Sequence, residues 1–140
     1  RHLAAEAVEK LKPFLPALHG GDWTGTTALP GGDFGMTEAG AIMAEVRARY
    51  PFLTDGDARR LIRLYGTRAF AFLGEATRAA DLGQHFGHGL TAAEVDHLVA
   101  HEWAVTAEDI LWRRTKLGLH FTPDETARLA AYLAERTPTA

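Results

Sequence analysis

The chain has 140 residues, 46% of them apolar and 24% charged, with a formal net charge of −3. That is apolar content enough for one packed core, and the acidic balance argues against a general nucleic-acid binder. The lack of cysteine and serine excludes a disulfide framework, thiol catalysis and a serine triad. No apolar run reaches the roughly 18–20 residues of a membrane span, and no signal peptide is visible.

The first residues, RHLAAEAVEKL, start without Met and are already in helical rhythm. They read as the start of a domain cut from a longer polypeptide. Leu3, Ala7, Val8, Leu11 and Leu15 make one stripe of a helix over 1–18, which Pro13 and Pro16 end near residue 12. Residues 19–36 hold six of the 14 glycines and predict a long loop. Trp23, Leu29 and Phe34 are its expected anchors, on this domain or on a neighbouring one. Its glycine pairs lack the spacing, the strand and the Lys of a phosphate-binding loop.

Thr37 is the expected cap of a helix that Pro51 stops, with Ile42, Met43, Val46 and Tyr50 inward. Thr54 and Asp57 open the next, whose core face is Ala58, Leu61, Ile62 and Tyr65 and whose stop is Gly66. A short helix follows to about Ala76, burying Phe70 and Leu73, and then a second irregular stretch over 77–90. Thr91 and Glu94 read as a capping box before Val95, Leu98 and Val99, with Glu102 and Trp103 continuing the inward face. Thr122-Pro123-Asp124-Glu125 is the strongest helix start in the chain, leading to Leu129, Tyr132 and Leu133. No alternation of period two runs for five residues, so no sheet is expected. The fold class is all-α, a compact bundle of six or seven short helices with two long irregular loops.

The stretch 101–122 organises the rest. Thr106 with Asp109 predicts a cap, and the helix runs past Ile110 and Leu111 to Leu117, with Gly118 as the left-handed residue beyond its end. Arg113, Arg114 and Lys116 suit the negative end of the helix dipole. Glu102 falls on the apolar stripe of Val95 and Leu98, where a charge needs a partner. One expectation is a buried pair between Glu102 and Arg113 or Arg114, with the arginine stem on Trp103 or Trp112. The other is that the helix ends before Glu102 and leaves it in water. These five residues, with Lys116, are the structural and interdomain candidates.

His97 and His101 lie four apart beside Glu102, and His85 and His88 three apart. The order is not that of a zinc-protease helix, and ordinary surface or packing histidines are expected. Asp55/Asp57 and Glu108/Asp109 sit at helix starts and are explained by capping. No catalytic, cofactor-binding or metal residue is assigned.

The strings YPFLT (50–54), ARRLIRLYG (58–66) and DLGQHFGHGLTAAEVDHLVAHEWAVTAEDILWRRTKLGL (81–119) resemble the C-terminal domain of FAD-dependent, aerobic glycerol-3-phosphate dehydrogenases; LPGG (29–32) and EKLKPFL (9–15) fit the same family. The resemblance spans the whole chain, and EWAVTAEDILWRRTKLG is its specific part. It implies a parent enzyme that oxidises sn-glycerol 3-phosphate to dihydroxyacetone phosphate, with FAD passing electrons to quinone, or to oxygen in related oxidases. It implies flavin and substrate domains on the N-terminal side as partners, and a cytoplasmic, membrane-peripheral parent. The family's GxGxxG fingerprint and Gly-Gly-Lys…Thr-Thr-Tyr-Arg motif are absent, apart from Arg1 as the latter's last residue. Residues 1–140 are therefore expected to be one non-catalytic helical domain excised from a longer flavoenzyme. Its role is either structural packing or recognition of a protein, a membrane surface or a second subunit.

Overall fold

The computed structural model describes residues 1–15, 17, 21 and 23–136, with the backbone alone of Met36. Pro16, expected to help end the first helix, residue 18 of the expected helical stretch, and residues 19, 20 and 22 of the expected loop lie outside the described residues. Six α-helices occur among those described: α1 (His2–Leu11), α2 (Ala39–Arg49), α3 (Asp55–Tyr65), α4 (Ala69–Leu73), α5 (Ala92–His101) and α6 (Pro123–Ala134). Between α5 and α6 lies a π-helical turn over Asp109–Arg114. One small hairpin, β1 (His85–Gly87) with β2 (Leu90–Thr91), pairs antiparallel.

The hairpin corrects the expectation of no sheet. Its strands are too short to show alternation, and the signal lies in the turn instead. Gly87 pairs with Leu90, so His88 and Gly89 form a two-residue connection, and both have positive φ. Such a tight turn requires that of both central residues.

The core is built from α2 to α6. Tyr50, Val46, Ala58, Leu61, Leu73, Phe86, Leu90, Val95, Leu98, Ile110, Leu111 and Leu129 are all fully or nearly fully buried. Capping sets the helix starts where the sequence places them at α3 and α6. Thr54 Oγ1 accepts from the Asp57 amide at 3.1 Å. Thr122 Oγ1 accepts from the Glu125 amide, and Glu125 accepts in return from the Thr122 amide at 2.8 Å. At α2 the cap is not Thr37. The Glu38 carboxylate accepts from the Gly35 amide at 2.6 Å, and a single 3-10 turn, Met36–Glu38, leads into the helix.

Two features set the N-terminal third apart from the core. α1 forms, but it buries no residue: Leu3, Val8, Leu11 and Leu15 are all exposed. Of the loop anchors, Phe34 packs against the core while Trp23 and Leu29 stay outside. The reason is a backbone crossing. Gly31 (φ +82) and Gly66 (φ +55) touch so closely that a Cβ on Gly31 would sit 2.1 Å from the Tyr65 carbonyl oxygen, and one on Gly66 1.8 Å from the Gly31 carbonyl oxygen. The Thr67 amide donates to the Gly31 carbonyl at 3.2 Å, and the Thr67 hydroxyl to Asp33. The crossing fixes the path of the loop, which turns Phe34 inward and leaves Leu29 81% exposed.

Candidate functional site

α5 ends at His101, with Glu102 as its C-terminal cap residue. Trp103 then takes φ +55, a left-handed backbone that bulky side chains seldom adopt. That reversal takes both residues off the inward stripe. Trp103 is 88% exposed. The Glu102 side chain is 38% exposed and lies 3.6 Å from Arg68 of the turn after α3.

Neither expected arginine reaches the Glu102 carboxylate. Arg113 donates to Asp109 at 2.7 Å and to Glu108 at 3.0 Å, both one turn back on its own helix. Arg114 Nε donates at 2.8 Å to the Glu102 backbone carbonyl. The buried Glu102 pair is thus corrected to a partly solvated one with Arg68, while Arg114 caps the end of α5.

The 106–117 segment also departs from expectation. Thr106 and Asp109 do form the reciprocal cap, with the Asp109 amide donating to Thr106 Oγ1 and the Thr106 amide to Asp109. Those hydrogen bonds, the Thr106 amide foremost, hold the Asp109 carboxyl well below the ordinary range. But the helix closes as a π-turn: the Thr115 amide and hydroxyl both donate to the Ile110 carbonyl, five residues back. The left-handed residue past its end is Lys116 (φ +62), not Gly118. Lys116 Nζ donates to the Trp112 carbonyl, a cation on a helix C-terminus. Gly118 is required for another reason. A Cβ there would meet the Trp112 ring at 2.5 Å.

The buried ion pair of this fold joins Arg60 to Glu94. Glu94 is 1% exposed. Its two oxygens accept from Arg60 NH1 and NH2 at 2.6 and 2.7 Å, and Arg60 also donates to the Gly89 carbonyl at 2.9 Å. The Tyr65 hydroxyl donates to the same carboxylate at 2.7 Å, and burial pushes that hydroxyl's pKa far up. This clasp ties α3, the hairpin turn and α5 together. It also corrects the Thr91–Glu94 capping box: Thr91 makes no side-chain cap bond. A signal was available, since Glu94 lies four residues before Leu98 on its apolar stripe.

His97 packs edge-on to Tyr65 and against Phe72 and His101. It is 6% exposed, its Nε2 has no partner among the described residues, and burial pushes its pKa down. No group of three or more His, Cys, Asp or Glu among the described residues could hold a metal ion. The strand pair among the described residues is an antiparallel hairpin, and the Glu125 and Asp57 carboxylates press on its Gly87 and Gly89. Those carboxylates would repel a pyrophosphate, so the hairpin glycines do not fit the phosphates of FAD.

What remains unpartnered is apolar surface: the α1 stripe with Phe14, Trp23 and Leu29, and Trp103, Val105, Trp112 and Leu119 near the π-turn. A helical body that carries such faces has the form of a module of a larger protein.

Residues 23–136 match the family model of the C-terminal domain of alpha-glycerophosphate oxidase, and the chain belongs to that family. It is 46% identical over 138 residues to a glycerol-3-phosphate dehydrogenase of Pseudomonas aeruginosa, covering 99% of this chain and 27% of that protein. It is 42% identical to the aerobic glycerol-3-phosphate dehydrogenase of Escherichia coli, over 98% of this chain and 27% of the relative. It is equally 42% identical to a D-erythritol 1-phosphate dehydrogenase of Brucella abortus, over 91% of this chain and 25% of the relative. The chain thus spans about a quarter of the length of these curated relatives.

Proposed function

We propose that this chain works as the C-terminal module of a longer FAD-dependent dehydrogenase acting on a phosphorylated polyol, glycerol 3-phosphate foremost, and that it supports the enzyme by packing rather than by chemistry. The observation that carries this is α1, an amphipathic helix that buries none of its residues. The relatives match this chain almost from end to end, yet the family match begins at residue 23, after α1. In this reading the compact body is 23–136, and α1 completes the core of the neighbouring flavin and substrate domains. The Trp23 and Leu29 side chains extend that contact.

The relatives' names support the division of labour. Proteins named for glycerol 3-phosphate and for D-erythritol 1-phosphate resemble this module at the same identity, which supports a role common to enzymes of different substrates. In the parent, FAD passes electrons to membrane quinone, or to oxygen in an oxidase. The parent sits at the cytoplasmic face of the membrane as a peripheral protein. No helix among the described residues is long and apolar enough to cross the bilayer.

Hydrogen exchange tests this. The α1 amides should exchange rapidly in the 140-residue chain and slowly in the full-length enzyme, and the 140-residue chain should purify without flavin. Slow α1 exchange in the chain alone, or near-stoichiometric yellow flavin on it, would sink the reading.

A further inference from the structure

The chain has twelve arginines, and ten of them hold a hydrogen bond or an ion pair. Arg59 and Arg63 hold neither among the described residues. They lie four apart on α3 and so share one face of the helix. Both line the same groove, about 340 Å³, with Gly56, Arg60, Leu64 and Thr115.

Their isolation has a structural cause. The intrahelical partner for Arg59 is Asp55, one turn before it, in the favourable order of acid then base. Asp55 instead pairs with Arg47 of α2 at 3.0 Å. One turn before Arg63 stands Arg59, another cation. Between them Arg60 turns inward and is neutralised by Glu94. No carboxylate lines the groove, so it carries two uncompensated guanidinium charges. Like charges at this spacing disfavour the helix. Gly56 adds no side chain at the mouth, where a Cβ would meet only Thr54 Oγ1, at 3.7 Å.

We propose that this groove binds a phosphate-bearing anion, with Arg59 and Arg63 as its two guanidinium clamps. Planar guanidinium forks match phosphate oxygens two by two, which a single ammonium does not. Arg60 also lines the groove, but its charge is already met by Glu94, so the two clamps can be changed without breaking the clasp, and the site does not depend on the packing role proposed above. The phosphate is that of a small soluble ester or of an anionic lipid headgroup.

Two arms of one experiment separate these sources. In the first, inorganic phosphate is titrated into the 140-residue chain while the arginine Nε–H signals are followed by NMR, against sodium chloride at matched ionic strength. A saturable shift of Arg59 and Arg63, absent with chloride, supports the site and a soluble ester. In the second, the chain is pelleted with phosphatidylglycerol vesicles and with phosphatidylcholine vesicles. Pelleting with the anionic vesicles alone, without a phosphate shift, supports the headgroup. In either arm R59Q/R63Q should abolish the effect, and each single variant should weaken it by about tenfold or more. The two side chains are exposed, so circular dichroism and melting should not change. R59K/R63K should recover part of the binding, from charge without the fork. No binding in either arm, a response that follows ionic strength alone, or equal binding by R59Q/R63Q would overturn the proposal.

Discussion

The two ends of α5 carry carboxylates with opposite fates. Glu94, in its first turn, is sealed from water and held by Arg60 and Tyr65. Glu102, just past its last turn, stands at the surface 3.6 Å from Arg68. Both look from the sequence like a charge on or beside one apolar stripe. What separates them is the neighbouring chain: at the first end α3 delivers a guanidinium and the hairpin turn a carbonyl over the helix, and at the second the chain reverses at Trp103 and leaves. Burial is decided by what the neighbouring segments bring, and not by the stripe alone.

Glu94→Gln puts that contrast under the greatest strain. It removes one partner of a desolvated pair, and should cost about 3–5 kcal/mol in urea melts, because Arg60 is then left buried and uncompensated. A loss below about 1 kcal/mol would mean the clasp is open to water. Next in size is Thr122→Ala, which serves as a yardstick away from α5. It deletes the acceptor of the α6 capping box and should cost about 1 kcal/mol. If it proves as costly as Glu94→Gln, the clasp has no special standing in this fold. Glu102→Gln should fall lower still, between about 0 and 1 kcal/mol, as a partly solvated pair does. A larger loss would erase the difference between the two ends.

The smallest effect comes from His97, between the two carboxylates on the same helix. Burial, then His101 and Arg68, depress its pKa below 6.5, against the pull of Glu102 and Glu94. In the window between that depressed value and 6.5 the unfolded chain binds more protons than the folded one. Stability should therefore rise with pH across the window and fall on acidification, and His97→Gln should flatten that slope in melts taken between pH 5 and 7. An unchanged slope would assign it to other groups.

Much of the body is legible in the sequence because its signals are local. The caps at Thr54 and Thr122, the stop at Gly66 and the inward faces of α3 and α6 each depend on residues within one or two turns. The candidate residues around Glu102 are less so. Their arrangement depends on a left-handed Trp103 and a π-turn, neither of which has a compositional signature, and the helix boundary moved with them. The clasp was missed because Arg60 and Glu94 lie 34 residues apart, and because Thr91 offered Glu94 a nearer explanation. The α1 stripe is legible as a helix but not in its partner: a periodic apolar face says that something covers it, and not that its own domain does.

The crossing of Gly31 and Gly66 imposes an order in time. The loop cannot settle until the turn after α3 exists, since Gly31 has nothing to lie across before then. Its arrival is marked by a backbone bond, from the Thr67 amide to the Gly31 carbonyl. That amide is therefore a clock for the N-terminal third. In pulse-labelled refolding it should gain protection only after the α3 amides, and the lag between them measures how long the loop searches before it is seated.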